Sequence, residues 1–180
     1  MNRLLIITLL LFTPLKSEEL NKKELYNLLK GRSMRKIHNK IIYKGVSKGL
    51  SYTGNGHGYT NKLVSKQTYL FSINQLVDKE KAKKIITELI SYAVEVYNSE
   101  PTIAPIYLEY PISSDSISIA IYFEDKQQKE HFVPHMCSIM KIEDSFLFCY
   151  KDNPEASILD ERIEKEPFPR ITFGEGVETK

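Results

Sequence analysis

The sequence lacks the short motifs that mark the common catalytic sites. It contains no Gly-x-Ser-x-Gly, no His-Glu-x-x-His, no Cys-x-x-Cys and no complete dinucleotide fingerprint, and no internal repeat is evident. Carboxylates are plentiful, but they cluster in segments that read as polar turns and tails. The sequence therefore predicts a non-enzymatic binding or interaction protein that needs no cofactor.

No apolar run is long enough to cross a bilayer. An almost unbroken apolar run over residues 4–12 follows Arg3, and a short polar exit occupies residues 14–17. A charged start, a short apolar run and a polar exit are typical of a secretory signal peptide. We therefore expect cleavage after residue 17, export to the bacterial periplasm or beyond, and no transmembrane helix in the mature chain. An uncleaved anchor or a buried core helix is the alternative.

Net charge is also nearly absent, yet the charges are unevenly placed. Residues 18–66 hold 11 basic and 3 acidic side chains, whereas residues 67–180 hold 12 basic and 20 acidic ones. Within the basic half, apolar residues at helical spacing lie among cations, as in a helix that rests on an anionic membrane. The apolar residues are Met34, Ile37, Ile41 and Ile42, and the cations include Arg32, Arg35, Lys36 and Lys40.

The basic half has two interpretations. One is a weak contact with an anionic membrane surface through Arg32, Arg35, Lys36 and Lys40. The other is that the two halves complement each other within one fold, or that the lysines are simply solvated. The expected partner is a protein or a component of the cell envelope, and no nucleic acid is expected.

The segment from Asp78 to Ser99 predicts one long central helix. Its apolar residues recur at the 3, 4, 3, 4 spacing that stacks side chains on one helix face, namely Ala82, Ile86, Leu89, Ala93 and Val96. Asp78 can cap the first turn, and Pro101 cannot lie inside a helix. A shorter helix is predicted over residues 17–30, with Gly31 at its end.

Alternation of apolar side chains predicts the sheet. It is clearest over residues 117–123, followed by 133–142 and 146–150 as an antiparallel meander, with 68–73 as a further strand. The predicted fold class is α+β, with one long central helix packed on an antiparallel sheet of three to four strands and a short N-terminal helical region. The segments are 1–17, the signal peptide; 18–66, basic, helical and Gly-rich; 67–152, the α+β core; and 153–180, an acidic tail, with 18–180 as one domain.

Five of the eight glycines lie between residues 45 and 58. Gly54, Gly56, His57 and Gly58 could turn backbone N–H groups toward an anion, as glycine-rich phosphate loops do. The Gly-Lys-Ser/Thr ending of a P-loop is missing. A surface loop without a ligand is therefore the alternative.

His135, Cys137 and Cys149 form the one cluster with a chemical rationale. If the turn between their strands centres on Glu143, Cys137 and Cys149 lie opposite each other. The pair could form a disulfide in an oxidising compartment, remain as buried thiols, or bind zinc or copper together with His135. From the residues alone all three remain open.

The stretch Pro105-Ile-Tyr-Leu-Glu-Tyr-Pro111, followed by Ile117-Ser-Ile-Ala-Ile121, resembles uncharacterised small exported bacterial proteins. The resemblance covers the helix-to-hairpin half of the chain and includes no catalytic motif. It implies export and assigns no activity.

The alternative to a binding protein is a small periplasmic hydrolase or a metal-handling protein that uses the His135/Cys137/Cys149 group or the Gly-rich loop. An enzyme should gather His57, His131 or His135 with a carboxylate in a concave pocket. An interaction protein should instead expose an aromatic patch or a free strand edge.

Overall fold

The computed structural model describes residues 22–125, 135–152, 162–174 and 176–178. Two α-helices and eight strands follow one another in the order α1, β1, β2, α2, β3 to β8. Their bounds are α1 Lys22–Val46, β1 Ser51–Thr60, β2 Leu63–Ile73, α2 Lys79–Asn98, β3 Ile117–Phe123, β4 Ser138–Ile142, β5 Ser145–Tyr150, β6 Arg162–Pro167, β7 Arg170–Thr172 and β8 Gly176–Glu178. The predicted signal peptide, residues 1–17, and His131 lie outside the described residues.

Six strands form one mixed sheet in the order β1-β2-β3-β4-β5-β6. β2 and β3 run parallel, and every other neighbouring pair is antiparallel. The parallel pair follows from α2, because a helical crossover returns the chain to the end from which β2 started. The predicted antiparallel sheet of three to four strands is therefore wrong: β1 comes from the predicted loop, and β6 comes from the predicted acidic tail.

The helix predicted from Asp78 to Ser99 is present as α2, but it is one of two helices on the sheet, so the predicted single long central helix is wrong. Asp78 caps it by accepting a hydrogen bond from the backbone N–H of Lys81 at 2.7 Å, and the helix ends before Pro101. All five residues of the predicted apolar face are buried. The helical spacing of these apolar residues was enough to predict α2, because one long face of this helix packs against the core.

α1 differs from the prediction. It runs for 25 residues and continues through Gly31, where the prediction ended a short helix. A mid-helix glycine costs only about 1 kcal/mol relative to alanine. Burial of Ile37 and Ile41 in the core offsets that cost. Sequence reasoning divided this helix into a short helix and a separate basic stretch with helical spacing, because Gly31 is typical of a helix end.

Both helices pack on the same face of the sheet. His38 of α1 contacts the Tyr69 ring edge-on, and the Tyr97 hydroxyl of α2 lies 2.7 Å from the Tyr69 hydroxyl. The Phe71 side chain, two residues along the same strand, approaches the backbone of Gly45 in α1. This helix-covered face contains the main hydrophobic core. Neither α1 nor α2 packs on the opposite face.

Candidate functional site: a basic groove on the first helix

The four cations singled out by the sequence lie together on α1. Arg32, Arg35, Lys36 and Lys40 line a groove of about 590 Å³, which is completed by Asn39, Tyr43 and Tyr92. The helical positions 32, 36, 40 and 43 recur every three or four residues, so these side chains stack along one stripe of the helix. Tyr92 comes from α2, which makes this a groove between the two helices. We refer to these seven residues as the basic groove.

The cations of the basic groove have no anionic partner in the part of the chain that the structure describes. None of Arg32, Arg35, Lys36 and Lys40 forms an ion pair with a described carboxylate. The sequence explains this, because residues 30–66 contain nine Lys and Arg residues and no Asp or Glu. Uncompensated charges of one sign create a local positive potential, and such a potential attracts anions.

Two tyrosine rings border these cations. The Tyr43 side chain is 76% exposed, although aromatic side chains are usually buried to a large extent. Tyr92 is half-buried, and the Lys44 ammonium lies 5.3 Å from the centre of its ring. The basic groove therefore combines cations with an exposed aromatic ring, as surfaces that bind anionic partners often do.

The apolar side of α1 is not available to a membrane. Ile37 and Ile41 are buried, and Met34 packs against the core beside them. Lying on a bilayer with these residues inserted would require α1 to leave the core. The side of α1 that remains available to an anionic surface is therefore the cationic one, and the contact itself stays a prediction.

The predicted pairing of Cys137 with Cys149 is wrong by one residue. β4 and β5 are joined by a two-residue turn, and Cys149 lies opposite Ser138. Directly opposed residues share a sheet face, so the one-residue shift places the two cysteine side chains on opposite faces. Both cysteines are buried thiols, and the Cys137 Sγ donates a hydrogen bond to the Cys149 carbonyl at 3.2 Å.

We predict that unreduced protein contains two titratable thiols. They should react slowly with a thiol reagent in the native state, because burial excludes the reagent, and quickly after denaturation. Titration with and without denaturant measures both rates. Absence of thiols in the denatured, unreduced protein would show that Cys137 and Cys149 are bridged and that the register described above is incorrect.

No group of three or more His, Cys, Asp or Glu residues arranged to hold a metal ion occurs among the described residues. His135 is exposed, whereas Cys137 and Cys149 are buried. His135 does line a cavity of about 330 Å³ together with Asp78. The Asp78 carboxylate, however, accepts the capping hydrogen bond of α2. The proposed His135/Cys137/Cys149 metal site is therefore not assembled.

The predicted anion loop is a strand. Gly54, Gly56 and Gly58 lie in β1, and none of them has the positive φ that an anion-binding nest requires. Successive N–H groups of an extended strand point in opposite directions instead of converging on one ligand. The Gly-rich segment therefore does not form the predicted site.

His57, the remaining member of that candidate loop, stacks on a histidine that the sequence gave no reason to select. The ring centres of His57 and His38 are 5.7 Å apart, and His38 also contacts Tyr69. Burial lowers the pKa of His38, and the neighbouring His57 lowers it further. Both effects favour neutral imidazole, so His38 joins α1 to the sheet as an uncharged group.

Lys141 is a second residue that sequence reasoning missed. Its side chain has no exposed surface, and its ammonium donates hydrogen bonds to the carbonyls of Ser114 and Ile117, the latter at 3.1 Å. Burial lowers its pKa to about 8. The sequence did indicate this burial, because Lys141 lies two residues after the buried Ile139 and therefore projects from the same face of β4.

Comparisons of the chain with protein-family models, with curated proteins and with solved structures found no match. The basic groove is therefore assessed from its own residues. None of the helices that the structure describes is long and apolar enough to span a membrane.

Proposed function

We propose that this protein is an exported, non-enzymatic binding protein that contacts an anionic surface of the cell envelope through the basic groove. The observation that carries the proposal is the alignment of four cations on one side of α1 without a described acidic partner. An ion pair within the protein would neutralise these charges. Because no described carboxylate pairs with them, their charge is available to an external anion.

The remaining candidate sites support a binding function better than catalysis. The Gly-rich segment is a strand, the two cysteines lie on opposite faces, and His57 neighbours another histidine and Tyr59. The exposed Tyr43 beside the cations corresponds to the aromatic feature expected of an interaction protein. Export rests on residues 1–17, which lie outside the described residues.

Replacing three cations of the basic groove should weaken binding to anionic vesicles. We expect Arg32→Gln/Lys36→Gln/Lys40→Gln to lose about 1 kcal/mol per charge, or about 3 kcal/mol in total, which is roughly a hundredfold in affinity. The measurement is co-sedimentation with vesicles that contain phosphatidylglycerol. Binding of the unaltered protein should also weaken as salt is added, because salt screens exposed charges.

The matched control removes three exposed cations, all of them lysines, from elsewhere on the chain. Lys62→Gln/Lys81→Gln/Lys165→Gln alters net charge equally but leaves the basic groove intact. This variant should retain most of the binding. Equal losses in the two triple variants would show that net charge, and not the groove, determines the interaction. Equal binding of the unaltered protein to neutral phosphatidylcholine vesicles would contradict the proposal.

A further inference from the structure

The six-stranded sheet has two edge strands, β1 and β6, and no described strand pairs with the outer side of either. β1 pairs with β2 on its inner side, and it is the first strand in the sheet order. An edge strand presents unpaired N–H and C=O groups that can bind another extended chain. Natural proteins usually protect such edges with charges, prolines, β-bulges or very short strands.

The opposite edge, β6, has this protection. It carries four charged side chains in six residues and ends at Pro167. Glu164 and Glu166 form ion pairs with Lys79 of α2, at 3.0 Å and 2.7 Å. A strand added there would have to accommodate these fixed charges. The charges and the proline of β6 therefore protect this edge of the sheet from strand addition.

Of these protections β1 has only the β-bulges, which lie near its ends. It is ten residues long and contains neither a charged residue of the Lys, Arg, Asp or Glu type nor a proline. Register shifts occur only toward its ends, between Tyr52 and Gly54 and between Gly58 and Tyr59, and the strand is regular between them. The exposed Tyr59 at its end is 65% accessible. A long, uncharged edge of this kind is a template for strand addition.

Two of the three glycines of β1 are not explained by packing within this chain, whereas a Cβ on Gly58 would lie 3.0 Å from the Lys66 Cβ. A Cβ placed on Gly56 would meet no atom within 4 Å, and one on Gly54 would meet only the Leu70 side chain at 3.8 Å. Glycine weakens a strand because it has no side chain to pack and gains more freedom on unfolding. Here Gly54, Gly56 and Gly58 leave one face of β1 without side chains, whereas Asn55 and His57 project from the other face.

We infer that the β1 edge binds an extended, acidic segment of a partner polypeptide by strand addition. The charge beside the edge selects the occupant, because residues 49–77, which contain β1, its turn and β2, carry Lys62 and Lys66 and no Asp or Glu. A second copy of this chain would bring two such edges together, and their like charges would repel each other. An acidic segment is attracted by the same charges. This inference concerns a surface separate from the basic groove and does not rest on the proposed function.

The test is selection of random dodecapeptides, displayed on phage, against the purified full chain. Two single-proline variants locate the binding surface. Neighbouring N–H groups of a strand point to opposite sides, so one of Asn55→Pro and Gly56→Pro removes an outward N–H and the other removes one that faces β2. Melting temperatures identify the outward variant as the one that retains stability.

We expect the selected peptides to be rich in Asp, Glu and β-branched residues and to lack proline. Their affinity should fall at least tenfold in the outward proline variant and in peptides with Lys in place of Asp and Glu. Hydrogen exchange of the unaltered protein should show that these peptides protect the β1 amides and leave β6 unchanged. This last measurement decides the question even if both proline variants unfold.

Three results would overturn the inference. The first is a selection that yields no peptide able to protect β1. The second is a set of peptides that bind the outward proline variant normally but lose binding in Arg32→Gln/Lys36→Gln/Lys40→Gln, which would place them in the basic groove. The third is a dimer in sedimentation experiments that dissociates in the outward proline variant, which would assign the edge to a second copy of the chain.

Discussion

Leu89→Asp is expected to leave the protein unfolded at 25 °C. Leu89 lies in the middle of α2 and has no exposed surface. The substitution removes a buried leucine, at a cost of about 2–5 kcal/mol, and adds an unpaired carboxylate, which costs several kcal/mol more. The sum equals or exceeds much of the stability of a typical domain, about 5–15 kcal/mol. Circular dichroism during thermal unfolding measures the effect.

The control is Ser91→Asp, which adds the same carboxylate to the exposed side of the same helix. Its melting temperature should stay close to that of the unaltered protein. Glu88→Ala should cost at most about 1 kcal/mol, because the side chain is 40% exposed and its partner is the single Lys48 ammonium. A folded Leu89→Asp variant with an unchanged melting temperature would contradict the packing of α2 described here.

Ile119→Asp should be less harmful than Leu89→Asp, although both positions are fully buried. Ile119 of β3 lies directly opposite Lys141 of β4. Side chains opposed in this way are about 5 Å apart at their Cβ atoms, so a carboxylate at position 119 gains a cationic neighbour. The same thermal measurement compares the two variants, and an equal loss in both would show that Lys141 offers no compensation.

Lys141→Met is expected to change how the stability of the protein depends on pH. Burial holds the pKa of Lys141 near 8, below its usual value of 10.5. Between these two values the unfolded chain binds more protons than the folded one, so the stability of the unaltered protein rises with pH across this window. Below pH 8 the buried ammonium costs roughly 3 kcal/mol relative to its exposed form.

Urea unfolding at pH 7 and at pH 10 tests this expectation. The free energy of unfolding of Lys141→Met, minus that of the unaltered protein, should be about 2–3 kcal/mol more positive at pH 7 than at pH 10. Loss of the hydrogen bonds to Ser114 and Ile117 affects both measurements equally and cancels from the comparison. Lys165→Met, an exposed lysine of β6, is the control. A difference that does not change with pH would show that Lys141 is not buried as a cation.

The elements that sequence reasoning recovered are those whose signal is local. α2 was predicted because its cap, its apolar period and its stop at Pro101 all lie within one segment. β3 was predicted because Ile117, Ile119, Ile121 and Phe123 alternate with small or polar residues and are all buried. The grouping of Arg32, Arg35, Lys36 and Lys40 was also visible, since helical spacing alone puts them on one side.

The register of β4 and β5 was not recovered, although part of its signal was present. Phe146 and Phe148 are both buried and share one face of β5, so the alternation of the strand places Cys149, the next residue, on the other face of the sheet. The opposed positions of β4 and β5 depend on whether the turn contains an odd or an even number of residues. The turn has two, Glu143 and Asp144, and a difference of one residue was enough to separate Cys137 from Cys149.

The sequence by itself determined the long helix, the clearest strand and the concentration of positive charge in residues 30–66, because each depends on spacing or composition within a short stretch. Only the tertiary structure decided that the Gly-rich segment is an edge strand, that β2 and β3 pair in parallel, and which carbonyls accept the hydrogen bonds of the buried Lys141. These features depend on partners far away in the chain. Glycine has no side-chain period, strand pairing has no local code, and a lysine enters a core only where distant carbonyls receive its hydrogen bonds.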